Sequence, residues 1–196
     1  MLWGNEICLR PNKNYLDFLG VNYYRRQTIS FTEIAWRRLP RCSSEVGNKN
    51  FCSLHARNDR ESDMGWEIYP KGIYQILRRL RKYHLPIYIT ENGLADVSDQ
   101  KRWSYIREHL VWLYQAIAKG VDVRGYFYWS LMDNSEWVDG FEPRFGLLAI
   151  DYWTLERRVR ASAWQYAKVC QAGQLVVCRN PPSQPPPLIT KGEGKE

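Results

Sequence analysis

The stretch Pro86-Ile87-Tyr88-Ile89-Thr90-Glu91-Asn92-Gly93 decides the fold class. Four β-branched or aromatic residues follow a proline that cannot continue a helix, so the run reads as a short buried strand. It ends on a carboxylate, which is costly to leave among apolar neighbours without a partner, and Glu91 stands out for that reason alone. Upstream, Ile73, Ile76, Leu77 and Leu80 recur at helical spacing. Pro70 suits a first turn that needs no amide donor, and Arg78, Arg79, Arg81 and Lys82 bring positive charge to the end where the helix dipole favours it. Downstream, Ile106, Leu110, Leu113, Tyr114 and Ile117 predict a second helix that stops at Gly120, a residue free to take the left-handed conformation past a helix end. Residues 123–130 read as another strand, and a last helix runs around Ala161 to Ala172 and closes at Gly173. With residues 16–24 (L-D-F-L-G-V-N-Y-Y) as the preceding strand, the alternation predicts a parallel α/β architecture.

The 196 residues carry 28 Lys and Arg against 21 Asp and Glu, a formal net charge of +7, with 44% hydrophobic and 14% aromatic residues and a mean hydropathy of −0.53. That balance excludes a disordered chain, and nothing approaches the ~18-residue apolar run of a membrane helix, so no membrane partner is expected. The basic residues fall in separate clusters (Arg37, Arg38, Arg41; Arg78, Arg79, Arg81, Lys82; Arg157, Arg158, Arg160) that read as solvated faces, and no nucleic-acid partner is expected. Cys8, Cys42, Cys52, Cys170 and Cys178 include no C-x-x-C pair and have no histidine at ligand spacing. Neither a metal site nor a disulfide framework follows from them, and no cofactor is expected. The residues after Met1 lack a signal-peptide pattern, so free thiols in a cytoplasmic setting are the expectation.

Three segments follow from this patterning: a short leader over 1–14, an α/β portion over 15–173, and a tail over 174–196. The tail, with N-P-P-S-Q-P-P-P, has no face to bury and is expected to be disordered. Residues 25–62 show no steady period and read as a long excursion. Nine Trp and 13 Tyr exceed what a core of this size requires, and such rings line sites that stack flat ligands, sugars or bases among them.

In parallel α/β folds ligands gather at the carboxyl ends of the strands. Those ends carry Asn22-Tyr23-Tyr24, Glu91-Asn92, and Trp129-Ser130 leading on to Glu136-Trp137. The strings D-F-L-G-V-N-Y-Y (17–24), M-G-W-E-I-Y-P-K-G-I (64–73), P-I-Y-I-T-E-N-G (86–93), G-Y-F-Y-W-S-L-M-D-N-S-E-W (125–137) and R-F-G-L (144–147) occur in that order. Together they resemble the C-terminal part of glycoside hydrolase family 1, the β-glucosidase and β-galactosidase family, over roughly residues 15–172.

The resemblance implies a (β/α)8 barrel, here a C-terminal partial barrel of about the last three βα units, and hydrolysis of β-glycosides with retention of configuration. It implies Glu91 as the nucleophile and Tyr24 as the hydrogen-bond donor that orients it. Asn22 would lie at the floor of the site, Trp129 would form the flat wall under the sugar, and Glu136 would accept hydrogen bonds from distal hydroxyls. Trp137 would help on the same loop, with Phe145 nearby. A retaining mechanism pairs an ionised carboxylate with a protonated one about 5 Å away. The family's acid lies in a T-x-N-E-P motif on its fourth strand, and no such string occurs in this sequence.

Glu6, Glu33, Glu45 and Glu61 lack a matching context, Glu67 reads as structural, and His55, His84 and His109 match no catalytic position. The expected ligand is a β-glycoside or oligosaccharide, and a complementary N-terminal barrel half is an expected partner. The rival reading is a non-catalytic relic that binds sugar or complements such a half. Asp133 and Asn134 are expected to brace their loop through hydrogen bonds to backbone.

Overall fold

The computed structural model of the chain describes residues 15–27 and 60–175. The leader, most of the 25–62 excursion and most of the tail lie outside the described residues, as do His55, Glu6, Glu33, Glu45, the first arginine cluster and every cysteine but Cys170. Cys170 is an exposed free thiol.

Three parallel strands form the central sheet: β1 (Leu19–Asn22), β2 (Ile87–Asn92) and β3 (Val123–Tyr128), in that spatial order. Helices α1 (Lys71–Leu80) and α2 (Arg102–Ala118) connect them, and α3 (Ala161–Ala172) follows. Each helix and strand expected from the sequence is present, with strands β1 and β3 shorter than their apolar runs. Pro70 sits at the N-cap of α1 with φ −61°, and Arg78 and Arg79 lie in its last turn. Gly120 and Gly173 adopt φ of +79° and +60° past the ends of α2 and α3, as their placement predicts.

One face of the sheet is packed by helices. Val21, Ile87 and Ile89 meet Ile73 and Leu77 of α1 and Leu113 and Ala116 of α2. A second cluster joins Leu94, Tyr105, Ile106, Tyr128 and Leu147, with Ala163 and Tyr166 of α3 packed against it. Fully burying each of the large aliphatic side chains here contributes about 1.5–3 kcal/mol, which orders short strands that could not hold themselves. On the opposite face Phe18 meets Tyr88 edge-on at 5.3 Å between ring centroids, Thr90 hydrogen-bonds Asn22, and Phe127 is exposed.

Two features escape the periodicity. A short antiparallel hairpin, β4 (Leu148–Ile150) with β5 (Arg157–Val159), follows the polar loop, and single 3₁₀ turns cover Arg81–Tyr83 and Trp137–Asp139. The hairpin also corrects the reading of the Arg157–Arg160 cluster as a solvated face. Arg157 and Arg158 are exposed, but the Arg160 side chain is only 9% exposed and pairs with the buried Asp133 at 2.9 Å. The second basic cluster, Arg78, Arg79, Arg81 and Lys82, is exposed as expected.

Candidate active site

The site begins with a fault in the sheet. Val21 pairs with Ile89 but Asn22 pairs with Glu91, and the pairing of β2 with β3 shifts again between Ile89 and Asn92. An irregularity of this kind reverses which face a side chain points to. Ile87, Ile89 and Asn92 consequently share the helix-packed side, while Glu91 is turned toward the loops at the carboxyl end of the strands.

There the Tyr24 hydroxyl donates to Glu91 Oε2 at 2.6 Å. Burial raises the Tyr24 pKa, and the hydrogen bond to Glu91 and the charges of Glu91 and Glu136 raise it further, so the phenol stays protonated and acts as a donor. Its ring is held edge-on by Trp66 at 6.0 Å and Phe145 at 6.1 Å. Phe145 is buried and backs Tyr24 from inside.

On the loop after β3, Trp129 Nε1 donates to Glu136 Oε1 at 3.0 Å. Burial raises the Glu136 pKa above the ordinary carboxylate value; the charges of Glu91 and Asp139 add to this, and the indole hydrogen bond opposes it. Glu136 therefore senses the charge of Glu91 across one site. The loop carrying Glu136 is anchored from below by Asp133, which accepts from the backbone of Gly146 at 2.8 Å and Ile150 at 3.2 Å and from both terminal nitrogens of Arg160. Burial works to raise the Asp133 pKa, but these donors outweigh it and hold the carboxyl below its ordinary value. Asp133 thus braces the loop as expected; the Asn134 Oδ1, expected to do the same, is buried without a hydrogen-bond partner among the described residues, and its backbone carbonyl accepts from the Tyr152 hydroxyl at 3.4 Å.

Asn22 lies one strand over, where its Oδ1 accepts from the Thr90 hydroxyl at 2.5 Å. Trp137 stands 93% exposed on the 3₁₀ turn beside Glu136. Glu67 forms a two-point ion pair with Arg26 at 2.6 and 2.7 Å, in keeping with a structural reading. His84 caps the 3₁₀ turn after α1 in the left-handed conformation, and His109 rides α2 fully buried. Among the described residues no three potential metal ligands cluster, and no helix is long and apolar enough to cross a membrane.

Sequence reasoning did not single out Trp66 or Asn92. Trp66 lies in the 64–73 string and its signal was aromaticity alone. Asn92 adjoins Glu91, and only the register shift reveals that it points inward.

A three-stranded parallel sheet whose carboxyl edge holds two neighbouring carboxylates, one gripped by a phenol and one by an indole, defines an α/β protein with a candidate site at its strand ends. The sequence profile of Glycosyl hydrolase family 1 matches residues 6–174, and the chain belongs to that family. It is 41% identical over 161 residues to a β-galactosidase of Sulfolobus acidocaldarius, covering 82% of this chain and 32% of that protein. It is 38% identical to β-glucosidase A of Thermotoga maritima, covering 79% of this chain and 34% of the relative. The solved structure of the Thermotoga maritima β-glucosidase in complex with glucoimidazole superposes with a TM-score of 0.68 at 37% identity, over 82% of this chain and 36% of that one. The chain thus spans about a third of the length of the relatives it matches.

Proposed function

We propose that this chain carries the nucleophile side of a retaining β-glycosidase site. The observation that carries the proposal is the 2.6 Å hydrogen bond from Tyr24 to Glu91 at the carboxyl end of the central strand. A carboxylate held this way keeps one oxygen aligned and the other free to attack an anomeric carbon. In the step proposed, Glu91 forms a bond to that carbon as the bond to the leaving oxygen breaks; water later releases the sugar. Trp129 offers its indole face to the sugar, and Glu136 accepts hydrogen bonds from hydroxyls remote from the scissile bond. Asn22 lies at the floor, Trp137 assists from the rim, and Phe145 supports Tyr24. The relatives' names and the glucoimidazole complex of one of them support a β-glucoside or β-galactoside as substrate.

The proposal extends to architecture. Residues 15–173 would form the last three βα units of a (β/α)8 barrel, between a leader (1–14) and a tail (174–196). The open sheet face with Phe18, Tyr88 and Phe127 would turn inward against complementary N-terminal strands, which would also supply the acid. That support rests on β1 and β3 being edge strands among the described residues and on the one-third coverage of the relatives.

The test uses a substrate that needs no acid. An activated fluoroglucoside with a dinitrophenolate leaving group departs without protonation, and the fluorine beside the anomeric carbon slows release of the sugar. A coloured burst of one dinitrophenolate per chain, absent in Glu91→Gln, is the expected result; no burst in the wild-type chain overturns the proposal. The Trp129–Glu136 pair is assembled without Glu91 and favours one alternative, a sugar binder without hydrolysis. That reading predicts glucoimidazole binding with no burst.

A further inference from the structure

We infer that Asn92 is a positioning residue that sets the geometry of the Glu91–Tyr24 pair from beneath the sheet. The inference rests on the nucleophile reading above but concerns a residue that touches no substrate. Asn92 is 0% exposed, turned to the helix side by the register shift that turns Glu91 the other way.

Each polar atom of its side chain is engaged. Nδ2 donates to the backbone oxygen of Tyr23 at 2.6 Å and to the Tyr105 hydroxyl at 2.8 Å, and Oδ1 accepts from the Tyr126 hydroxyl at 2.7 Å. An amide has two donor hydrogens and one acceptor oxygen, and here both hydrogens and the oxygen are used. Three partners from three parts of the chain converge on it: Tyr23 just after β1, Tyr105 on α2 and Tyr126 on β3.

What this fixes is Tyr24. Tyr23 N–H donates to Glu91 O at 2.9 Å, and Asn92 Nδ2 bonds the carbonyl of the same Tyr23, so the residue before Tyr24 is tied to β2 on both sides. The Tyr105 hydroxyl, held by Asn92, donates in turn to the backbone oxygen of Tyr24 at 3.3 Å. Trp129 N–H bonds Asn92 O at 3.0 Å, which places the start of the Glu136 loop from the same residue. Asn92 therefore sets the spacing between the carboxylate and the phenol that grips it through its side-chain amide, and the place of the Trp129 indole through its backbone carbonyl. A misplacement of about 1 Å at a reacting group is enough to cost 10²-fold in rate, so a rigid support beneath the pair has a catalytic consequence without contact. Threonine-glutamate-asparagine-glycine then reads as four tasks: Thr90 binds Asn22, Glu91 reacts, Asn92 clamps, and Gly93 leaves room for the Trp129 carbonyl, which a Cβ would approach to 1.9 Å.

The test uses hydroxyl deletions that leave ring volume intact. Tyr126→Phe and Tyr105→Phe each remove one partner of Asn92, and Tyr166→Phe removes a neighbouring hydroxyl that donates to the Tyr126 carbonyl. Two quantities are read in the 196-residue chain. The first is the fluoroglucoside burst as a function of reagent concentration, which separates affinity from the limiting rate. The second is hydrogen exchange at the Tyr23 and Trp129 amides, which needs no chemistry.

The expected result is a limiting rate lowered about tenfold in Tyr126→Phe and Tyr105→Phe with affinity within twofold, and tenfold faster exchange at both amides. Tyr166→Phe leaves both unchanged. Exchange unchanged in both clamp variants overturns the inference whether or not the chain is labelled. An unchanged limiting rate in chains whose wild type does show the burst overturns its catalytic part, whereas a wild type without a burst strikes the nucleophile reading instead.

Discussion

Replacing His109 with glutamine should remove much of the chain's acid sensitivity above pH 5. His109 is completely buried on α2 with its ring tilted against that of Tyr105, centroids 4.0 Å apart; Nδ1–H donates to Tyr105 O at 2.8 Å and Nε2 has no hydrogen-bond partner among the described residues. Burial pushes its pKa down from 6.5 to about 3, with the backbone hydrogen bond opposing weakly. The unfolded chain therefore takes up a proton below pH 6.5 that the folded chain refuses until about pH 3, and stability falls as pH drops through that window.

At about 1.4 kcal/mol per pH unit, the fall from pH 7 to pH 5 costs about 2 kcal/mol, or roughly 4–8 °C in Tm for a chain of this size. Asp96 and Asp133, whose pKa values are lowered by hydrogen bonds and arginines that outweigh burial, lose their contribution only as pH falls below the ordinary carboxylate range. Glu136, raised by burial, works in the opposite direction and is shared by both proteins, so their difference isolates His109. Thermal melts by circular dichroism at matched ionic strength provide the assay. A wild-type Tm that stays flat between pH 7 and pH 5, or an equal drop in His109→Gln, would refute the reasoning.

The other expectations concern the site and its supports. Tyr24→Phe removes the charge-assisted bond to Glu91 and should slow the fluoroglucoside burst about 10–100-fold, since such bonds contribute about 1.5–3 kcal/mol and each 1.4 kcal/mol is a factor of ten. Gly93→Ala puts a Cβ 1.9 Å from the Trp129 carbonyl. It should cost about 1–3 kcal/mol by overpacking and shift tryptophan fluorescence as the indole leaves Glu136. Arg160→Met leaves Asp133 charged and buried, and urea unfolding should report a loss of about 3–5 kcal/mol, toward the lower end because Arg144 lies 3.6 Å from the same carboxylate. Trp153, 97% exposed at the β4–β5 turn, should tolerate alanine within about 0.5 kcal/mol in the same assay.

How far the sequence could be read depended on whether a feature was periodic. Ile73 and Leu77 mark the buried stripe of α1, Ile106 and Leu113 that of α2, and Gly120 and Gly173 mark helix ends, because each signal is local; Tyr114 and Ile117, read with the same stripe, are exposed at its edge. Glu91 was legible as a carboxylate closing an apolar run. Strict alternation, however, would have put Glu91 on the helix side and Asn92 on the open side, and the register irregularity that reverses them has no signature in composition or spacing. Arg160 was misread with its neighbours because its partner, Asp133, lies 27 positions away and the intervening hairpin has strands of only three residues, too short to show a period. Trp66 reaches Tyr24 only through the folded loop, so its place beside the site could not be inferred from its string.

Glu91, and not its neighbour Glu136, is the carboxylate proposed to bond to sugar. Peptide mapping by mass spectrometry after exposure to the activated fluoroglucoside tests it directly. The expected result is one fluoroglucosyl increment per chain, confined to the peptide containing Glu91 and missing from Glu91→Gln. An increment on the peptide containing Glu136, or an unmodified chain, would contradict it.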